Sequence, residues 1–220
     1  MSSEPSIRAT LNKFIENKAP GPKSNIYVFH LEQALRLIAK GDIDRKNKPI
    51  GRQKLANSLG LGAGSIRSLL KLLKKENLIE TSKSGNEISK KGENYLKKLR
   101  KIIPNAEIEV DSARILTNSE KNFALLIKNY SEKIDTGMAQ RDAAMKIGAT
   151  GAITIIFKDR KYSIPQIEKF DDLQMEYPNF IKELEGKLQI EENDIIIIGT
   201  ADDSTKAKAG VWAAAYSLIQ

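Results

Sequence analysis

The chain has 220 residues, of which 40% are apolar and 29% charged, values of an ordinary globular protein with one large or two small domains. It contains no cysteine and a single histidine, His30, which excludes disulfides, thiolate chemistry and a two-histidine metal site within one chain. The start of the sequence is polar, without the layout of a signal peptide, and no apolar run is long enough to cross a bilayer. We therefore expect a soluble cytoplasmic protein.

The positive charge is concentrated in the first half of the chain. Residues 1–103 carry 22 Lys and Arg against 9 Asp and Glu, a net charge of +13, whereas residues 104–220 carry 14 against 19, a net charge of −5. This division predicts that the N-terminal half faces a polyanion and that the C-terminal half has another role. A solvated basic surface without a partner is the alternative.

The first half has the element order of a winged helix-turn-helix. Residues 1–24 end in a Pro- and Gly-rich stretch and predict a flexible arm. Apolar spacing and helix-ending Gly and Pro residues then predict four helices, at about residues 25–40, 52–59, 63–76 and 91–103. Two short strands, residues 78–81 and 87–89, lie between the third and fourth helices. The order predicts a DNA-binding winged helix over residues 25–103.

The third helix is expected to read the DNA. Ile66, Leu69, Leu70 and Leu73 share one face, which packs on the first two helices, and the opposite face is basic and enters the major groove. Small residues at the helix start let the backbone approach phosphate. Arginine can form two hydrogen bonds with a guanine, whereas lysine and serine contact phosphates and so position the protein on the DNA. The hairpin tip is expected to contact the minor groove or the DNA backbone. The candidate DNA-binding residues are Arg52, Lys54, Gly64, Ser65, Arg67, Ser68, Lys71, Lys83, Ser84, Asn86 and Lys90.

The second half predicts a layered α/β or α+β domain over residues 104–220. Strands are expected at residues 106–110, 123–127, 152–157, 162–164 and 195–198, and helices at residues 138–147, 178–188 and 204–218. Apolar strands interleaved with helices are typical of a sheet covered on both faces. We expect this domain to bind an effector or to form a dimer.

A candidate ligand site follows the strand at residues 195–198. In α/β sheets, ligands bind where strands lead into helices. There Thr200 can hydrogen-bond a ligand, Asp202 or Asp203 can hold Mg²⁺ or a ligand hydroxyl or amine, and Arg141 can meet an anionic ligand or Asp202. The alternatives are that Asp203 or Ser204 caps the last helix and that Arg141 forms a surface ion pair. No resident metal or cofactor is predicted.

The last helix, residues 204–218, has almost no polar face. Its sequence from Ala207 to Tyr216 is Ala, Gly, Val, Trp and Tyr apart from Lys208. A helix that is apolar all round must be buried on several sides. Either a partner subunit or the layers of its own domain can cover it. We predict a homodimer held mainly by the C-terminal half, which would place two recognition helices about one DNA turn apart.

Several segments match one known family. They are residues 20–22, 30–38, 50–56, 59–67, 85–92, 140–144 and 198–203. Together they resemble an archaeal family of winged helix-turn-helix proteins that joins a DNA-binding domain to a C-terminal domain of unknown function. The resemblance covers nearly the whole chain from about residue 20. It implies a transcription-regulator-like protein and brings no catalytic residues.

These observations predict a transcriptional regulator that binds double-stranded DNA and is not an enzyme, with a small-molecule effector as a candidate partner. One alternative is an enzyme with its site around Arg141, Asp202 and Asp203. The other is an architectural or RNA-binding protein without a ligand.

Overall fold

The structure is a computed structural model that describes residues 26–41 and 48–219. The predicted arm, residues 1–24, and the first residue of the predicted winged helix, Asn25, lie outside the described residues. The chain divides into two units, one ending at Lys98 and one running from Leu99 to Gln220.

The first unit is a winged helix-turn-helix, which confirms the predicted fold. Its elements are α1 (Val28–Lys40), α2 (Arg52–Leu59), α3 (Ala63–Lys75), β1 (Ile79–Ser82), β2 (Gly85–Ile88) and α4 (Lys90–Ile102), the last of which continues across the unit boundary. β1 and β2 pair antiparallel, and Ile50 forms an antiparallel bridge to Asn86 of β2.

The core of this unit lies between the first three helices. Leu31 and Leu35 of α1, Leu55 of α2, and Leu69 and Leu73 of α3 are fully buried. α2 ends at Gly60, whose backbone is left-handed (φ +62°), a conformation that glycine adopts without strain and that closes the turn into α3.

The second unit is an antiparallel sheet with helices on both faces. Its elements are β3 (Ile108–Glu109), α5 (Arg114–Thr117), β4 (Lys121–Ile127), α6 (Met138–Lys146), β5 (Gly151–Lys158), β6 (Lys161–Ser163), α7 (Leu173–Glu176), α8 (Pro178–Lys187), β7 (Ile195–Ala201) and α9 (Ser204–Leu218). The strand order is β3-β4-β7-β5-β6, and every neighbouring pair is antiparallel. The layered domain that the sequence predicts is therefore of the α+β kind.

The central strand, β7, is buried over its whole length. On one face of the sheet, Ile196 and Ile198 join a core with Phe180 and Leu184 of α8. On the other face lie α6 and α9. Gly199 of β7 permits the close approach of α9, because a Cβ at this position would lie 2.3 Å from the backbone nitrogen of Val211.

α9 belongs to the core of its own domain. Ala207, Val211, Trp212 and Ala214 are buried against the sheet and α6. The sequence allowed this helix to be buried either by a partner subunit or by the layers of its own domain. Its burial within its own unit accounts for its apolar composition. A dimer, if formed, needs a different surface.

Candidate nucleic-acid interface and C-terminal ligand residues

The outer face of α3 is basic and exposed. Arg67 and Lys71 are exposed, whereas Ile66 and Leu69 on the inner face are buried. Neither Arg67 nor Lys71 forms an ion pair with any residue that the structure describes. One difference from the sequence prediction is that Leu72, rather than Leu70, completes the buried face. The charges of Arg67 and Lys71 are therefore open to a polyanion.

The N-terminal end of α3 is unobstructed. Gly62 is the N-cap and supplies no side-chain hydrogen bond to the first turn. A Cβ built on Gly62 or on Gly64 meets no atom within 4 Å, and neither residue has a positive φ. The fold itself therefore does not require glycine at these two positions. The free N–H groups of the first turn are a place where a phosphate can bind.

The two serines of α3 are less available than the basic side chains. Ser65 and Ser68 are half-buried, and the Ser68 hydroxyl donates to the Gly64 carbonyl oxygen at 3.2 Å. Because its proton is used inside the helix, Ser68 can offer only its oxygen lone pairs to a partner.

The wing turn is tighter than the sequence predicts. β1 and β2 are joined by Lys83 and Ser84 alone, and both residues are exposed. The Ser84 N–H donates to Ser82 Oγ at 3.2 Å, and the two serine Oγ atoms lie 2.6 Å apart. Lys83 is thus held at the tip of the wing.

Asn86 is not at the tip, and its predicted place in the interface is wrong in that respect. It is buried, its side-chain amide donates to the Ile50 carbonyl at 3.0 Å, and its amide oxygen accepts from Thr81. The adjacent Gly85 packs so closely that a Cβ would lie 2.7 Å from the carbonyl oxygen of Pro49. Asn86 therefore ties the wing to the segment before α2.

The remaining predicted contacts lie on other elements of the unit. Arg52 is exposed in the first turn of α2, and Lys54 is half-buried on the same helix. Lys90 begins α4 and is exposed, with its Nζ 3.9 Å from a Glu93 carboxylate oxygen. Lys97 and Lys98, also exposed on α4, were not singled out in the sequence. Lys97 and Lys98 follow Lys90 and Lys91 by seven residues, which places the four side chains on one side of the helix, and this spacing could have identified them in the sequence.

His30 is a structural residue. It is buried in the first turn of α1, where its Nδ1 accepts from the Tyr27 N–H at 2.9 Å. Burial lowers the pKa of His30 to about 4, so the ring is neutral at physiological pH.

Among the C-terminal candidates, Asp203 is a helix cap. Its Oδ1 accepts from the Lys206 N–H at 2.9 Å, and its Oδ2 lies 3.3 Å from Lys206 Nζ. The hydrogen bond from this N–H holds the pKa of Asp203 below its ordinary value. Asp202 is exposed at the preceding position. The capping alternative therefore accounts for Asp203.

Arg141 and Thr200 both border Gly151. A Cβ built on Gly151 would lie 3.8 Å from Arg141 Cγ and 3.9 Å from Thr200 Cγ2. The Thr200 hydroxyl is buried and has no hydrogen-bond partner among the described residues. The Arg141 guanidinium is exposed and contacts Asp142 at 3.3 Å. Arg141 and Thr200 thus share Gly151 as a neighbour, whereas Asp203 is engaged as a helix cap.

The sheet of the second unit is not of the kind from which the C-terminal ligand site was predicted. The strand-end rule applies to parallel sheets, in which successive strands end at one edge, but β7 is antiparallel to both of its neighbours. Within residues 26–41 and 48–219, no three His, Asp or Glu side chains are grouped so that they could hold a metal ion.

The fold and the exposed basic face of α3 define the class: a winged helix-turn-helix protein with a second, α+β domain. Residues 43–103 match the family model of the CggR N-terminal DNA binding domain, and residues 118–218 match a domain of unknown function, DUF4443. The chain thus joins a DNA-binding domain to a domain of unknown function, as its sequence predicts.

A solved structure is similar over most of the chain. It is a hypothetical protein from Pyrococcus horikoshii OT3, with 27% sequence identity and a TM-score of 0.65 over 88% of this chain and 92% of that chain. A search of curated proteins returned no match. In the part of the chain that the structure describes, no helix has both the length and the apolar character needed to span a membrane.

Proposed function

We propose that this protein is a transcriptional regulator that binds duplex DNA through α3. The observation that carries the proposal is the unpaired basic face of α3, with Arg67 and Lys71 exposed opposite a buried leucine face, in a domain that matches a DNA-binding family. A cytoplasmic location, where such a regulator would meet DNA, is part of this proposal.

Each basic group has a distinct role in the proposed complex. Arg67 can hold the O6 and N7 atoms of a guanine with two hydrogen bonds, which gives sequence specificity. Lys71 and the open N–H groups at Gly64 bind phosphates, and Lys83 at the wing tip reaches the minor groove or the backbone. Arg52 and Lys90 add backbone contacts that set the register on the duplex.

The direct test replaces the basic face of α3. The double variant Arg67→Ala, Lys71→Ala is expected to bind duplex DNA more weakly, with a reduced dependence of affinity on salt, and to keep its thermal stability, because both side chains are exposed. The matched control is Lys146→Ala, Lys161→Ala, two exposed lysines of the second unit. Gel-shift affinities equal for the double variant, the control and the wild type at several salt concentrations would refute the role of α3.

For the second unit we propose an effector site at Arg141 and Thr200. Arg141 and Thr200 both border Gly151, and the buried Thr200 hydroxyl has no partner among the described residues, so a small anionic ligand that reaches both groups would satisfy them. A thermal-shift screen of carboxylate and phosphate metabolites on the full chain tests this. A stabilising compound should lose its effect in Arg141→Ala and in Thr200→Val. If a compound stabilises these variants as much as the wild type, the site lies elsewhere.

We also propose that the regulator is a homodimer held by the C-terminal half. Because α9 is buried in its own unit, the outer face of α6 is the surface we assign to the contact. Met138 and Met145 are seven residues apart on this face and are 56% and 50% exposed. Light scattering on the full chain should give twice the monomer mass, and Met138→Glu with Met145→Glu should give the monomer. A wild-type monomer at micromolar concentration, or an unchanged dimer in the variant, would refute the proposal.

A further inference from the structure

A second basic surface lies on α4. Lys90, Lys91, Lys97 and Lys98, all before the unit boundary, are exposed, and we call them the lysine ridge. At 100° per residue they fall within an arc of about 120° of the helix surface. No carboxylate lies inside this arc; Glu93 lies just outside it. At least three of the four lysines have no ion-pair partner among the described residues, so the ridge produces a positive local electrostatic potential.

The opposite face of α4 is fixed to the rest of the unit. A Cβ at Gly92 would lie 2.2 Å from the Leu78 carbonyl oxygen, so the helix begins in direct backbone contact with the segment before β1. One turn further, the Tyr95 hydroxyl donates to the buried Glu32 carboxylate of α1. These contacts set the rotation of α4 about its axis, and they leave the lysine ridge facing solvent.

The lysine ridge begins beside the C-terminal end of α3. The Ser89 hydroxyl donates to the Asn77 carbonyl oxygen at 2.6 Å. Ser89 is the residue before Lys90, and Asn77 follows Lys75, the last residue of α3, by two positions. The C-terminal end of α3 and the start of α4, where the lysine ridge begins, therefore lie next to each other.

We infer that the lysine ridge binds the phosphate backbone of duplex DNA beyond the segment that α3 reads. This inference rests on the proposed function. Lysine contacts phosphate as a point charge and carries no base information, so the ridge supplies affinity that is independent of sequence. From Lys90 to Lys98 the ridge is about 12 Å long, the rise of three to four base pairs.

The side chains on the ridge favour nucleic acid over a membrane surface. Between the lysines the arc holds only Asn94, which is polar and exposed. A helix that lies on a membrane needs an apolar face that enters the lipid, and the apolar face of α4, with Leu96 and Leu99, is buried in the protein. The ridge therefore offers charge alone, which is what a phosphate backbone requires.

The test removes three ridge charges and varies both salt and DNA length. The variant is Lys91→Gln, Lys97→Gln, Lys98→Gln, since glutamine keeps a helix propensity close to that of lysine. The control is Lys146→Gln, Lys161→Gln, Lys182→Gln, exposed lysines of the second unit with the same loss of charge. Fluorescence anisotropy measures affinity for duplexes of about 12 and about 30 base pairs, one DNA turn and nearly three, between 50 and 200 mM salt.

The ridge variant is expected to lose up to about 2.7 from the slope of log affinity against log salt, about 0.9 for each phosphate contact. Between 50 and 200 mM salt, the factor by which the affinity of the wild type falls should then be about 40 times the factor for the variant. The ratio of wild-type to variant affinity should be larger on the long duplex than on the short one. In the control, the slope should stay close to that of the wild type.

A ridge variant that matches the control in salt slope and in length dependence overturns the inference. If Arg67→Ala, Lys71→Ala still weakens binding in that case, the proposed function survives without the ridge. The reverse pattern, loss of binding in the ridge variant alone, upholds the ridge and overturns the role of α3. Ridge-dependent binding to phosphatidylserine vesicles or to an acidic peptide, with no binding to either duplex, assigns the surface to another partner and overturns the inference as well.

Discussion

Replacing Gly64 by Ala separates stability from DNA binding at a single position. In the free protein the added methyl group meets no atom within 4 Å, and Gly64 has ordinary helical backbone, so alanine fits without strain. Alanine in place of glycine in a helix is worth about 0.5–1 kcal/mol. For a unit of this size the melting temperature should rise by about 2–8 °C.

The same methyl group occupies the space in which we place a phosphate. Loss of a hydrogen bond to a charged group costs about 1.5–3 kcal/mol, so DNA affinity should fall about tenfold to a hundredfold while stability rises. The assays are a thermal melt followed by circular dichroism and an anisotropy titration with duplex DNA. Gly186→Ala on α8, also exposed and free of contacts, is the control that gains helix stability alone. A more stable Gly64→Ala protein that binds DNA as well as the wild type would refute phosphate binding at the start of α3.

Three further predictions concern particular residues. Gly199→Ala should destabilise the second unit by about 3 kcal/mol or more, because its Cβ would overlap the backbone of α9; the fluorescence of Trp212, the single tryptophan, reports this unfolding, and unchanged stability would contradict the packing of α9 on β7. The pKa of His30 is about 4 in the folded protein and 6.5 in the unfolded chain, so the first unit should lose up to about 3 kcal/mol of stability as the pH falls through this interval. His30→Gln keeps a hydrogen-bond acceptor near the Tyr27 N–H and should abolish this loss in thermal melts from pH 7 to pH 4. Asp203→Ala should cost about 1 kcal/mol and Asp203→Asn much less, whereas Asp202→Asn should leave the melting temperature unchanged; an Asp203→Ala protein that melts with the wild type would contradict the capping role of Asp203.

Elements whose ends are set by neighbouring residues could be predicted closely. α2 and α9 have the predicted bounds, because Gly60 closes one helix and the Asp203 side chain opens the other. The basic face of α3 follows from a spacing within one helix, which the sequence displays directly. In each of these cases the determining residues lie within a few positions of the feature that they determine.

Features that depend on distant residues could not be predicted in the same way. Asn86 resembles a turn residue in sequence, and only its pairing with Ile50, 36 residues earlier, places it in the interior. The antiparallel order of the second sheet is likewise set by contacts between distant strands, and the sequence alone does not distinguish it from the parallel order that the strand-end rule requires. α5 and α7 are single turns of four residues, too short to show an apolar period.

The difference between features set by nearby residues and features set by distant residues is also seen when two glycines are compared. Gly64 and Gly199 both lie near the end of a helix or strand, and the residues next to them in the sequence do not show that their roles differ. In the structure, the space beside Gly64 is open to solvent, whereas the space beside Gly199 is filled by the backbone of α9. The fold needs a glycine where φ is positive, as at Gly60, or where a Cβ would overlap protein atoms, as at Gly199, and Gly64 meets neither condition. We propose that Gly64, at the open N-terminal end of a basic helix, allows the approach of a phosphate.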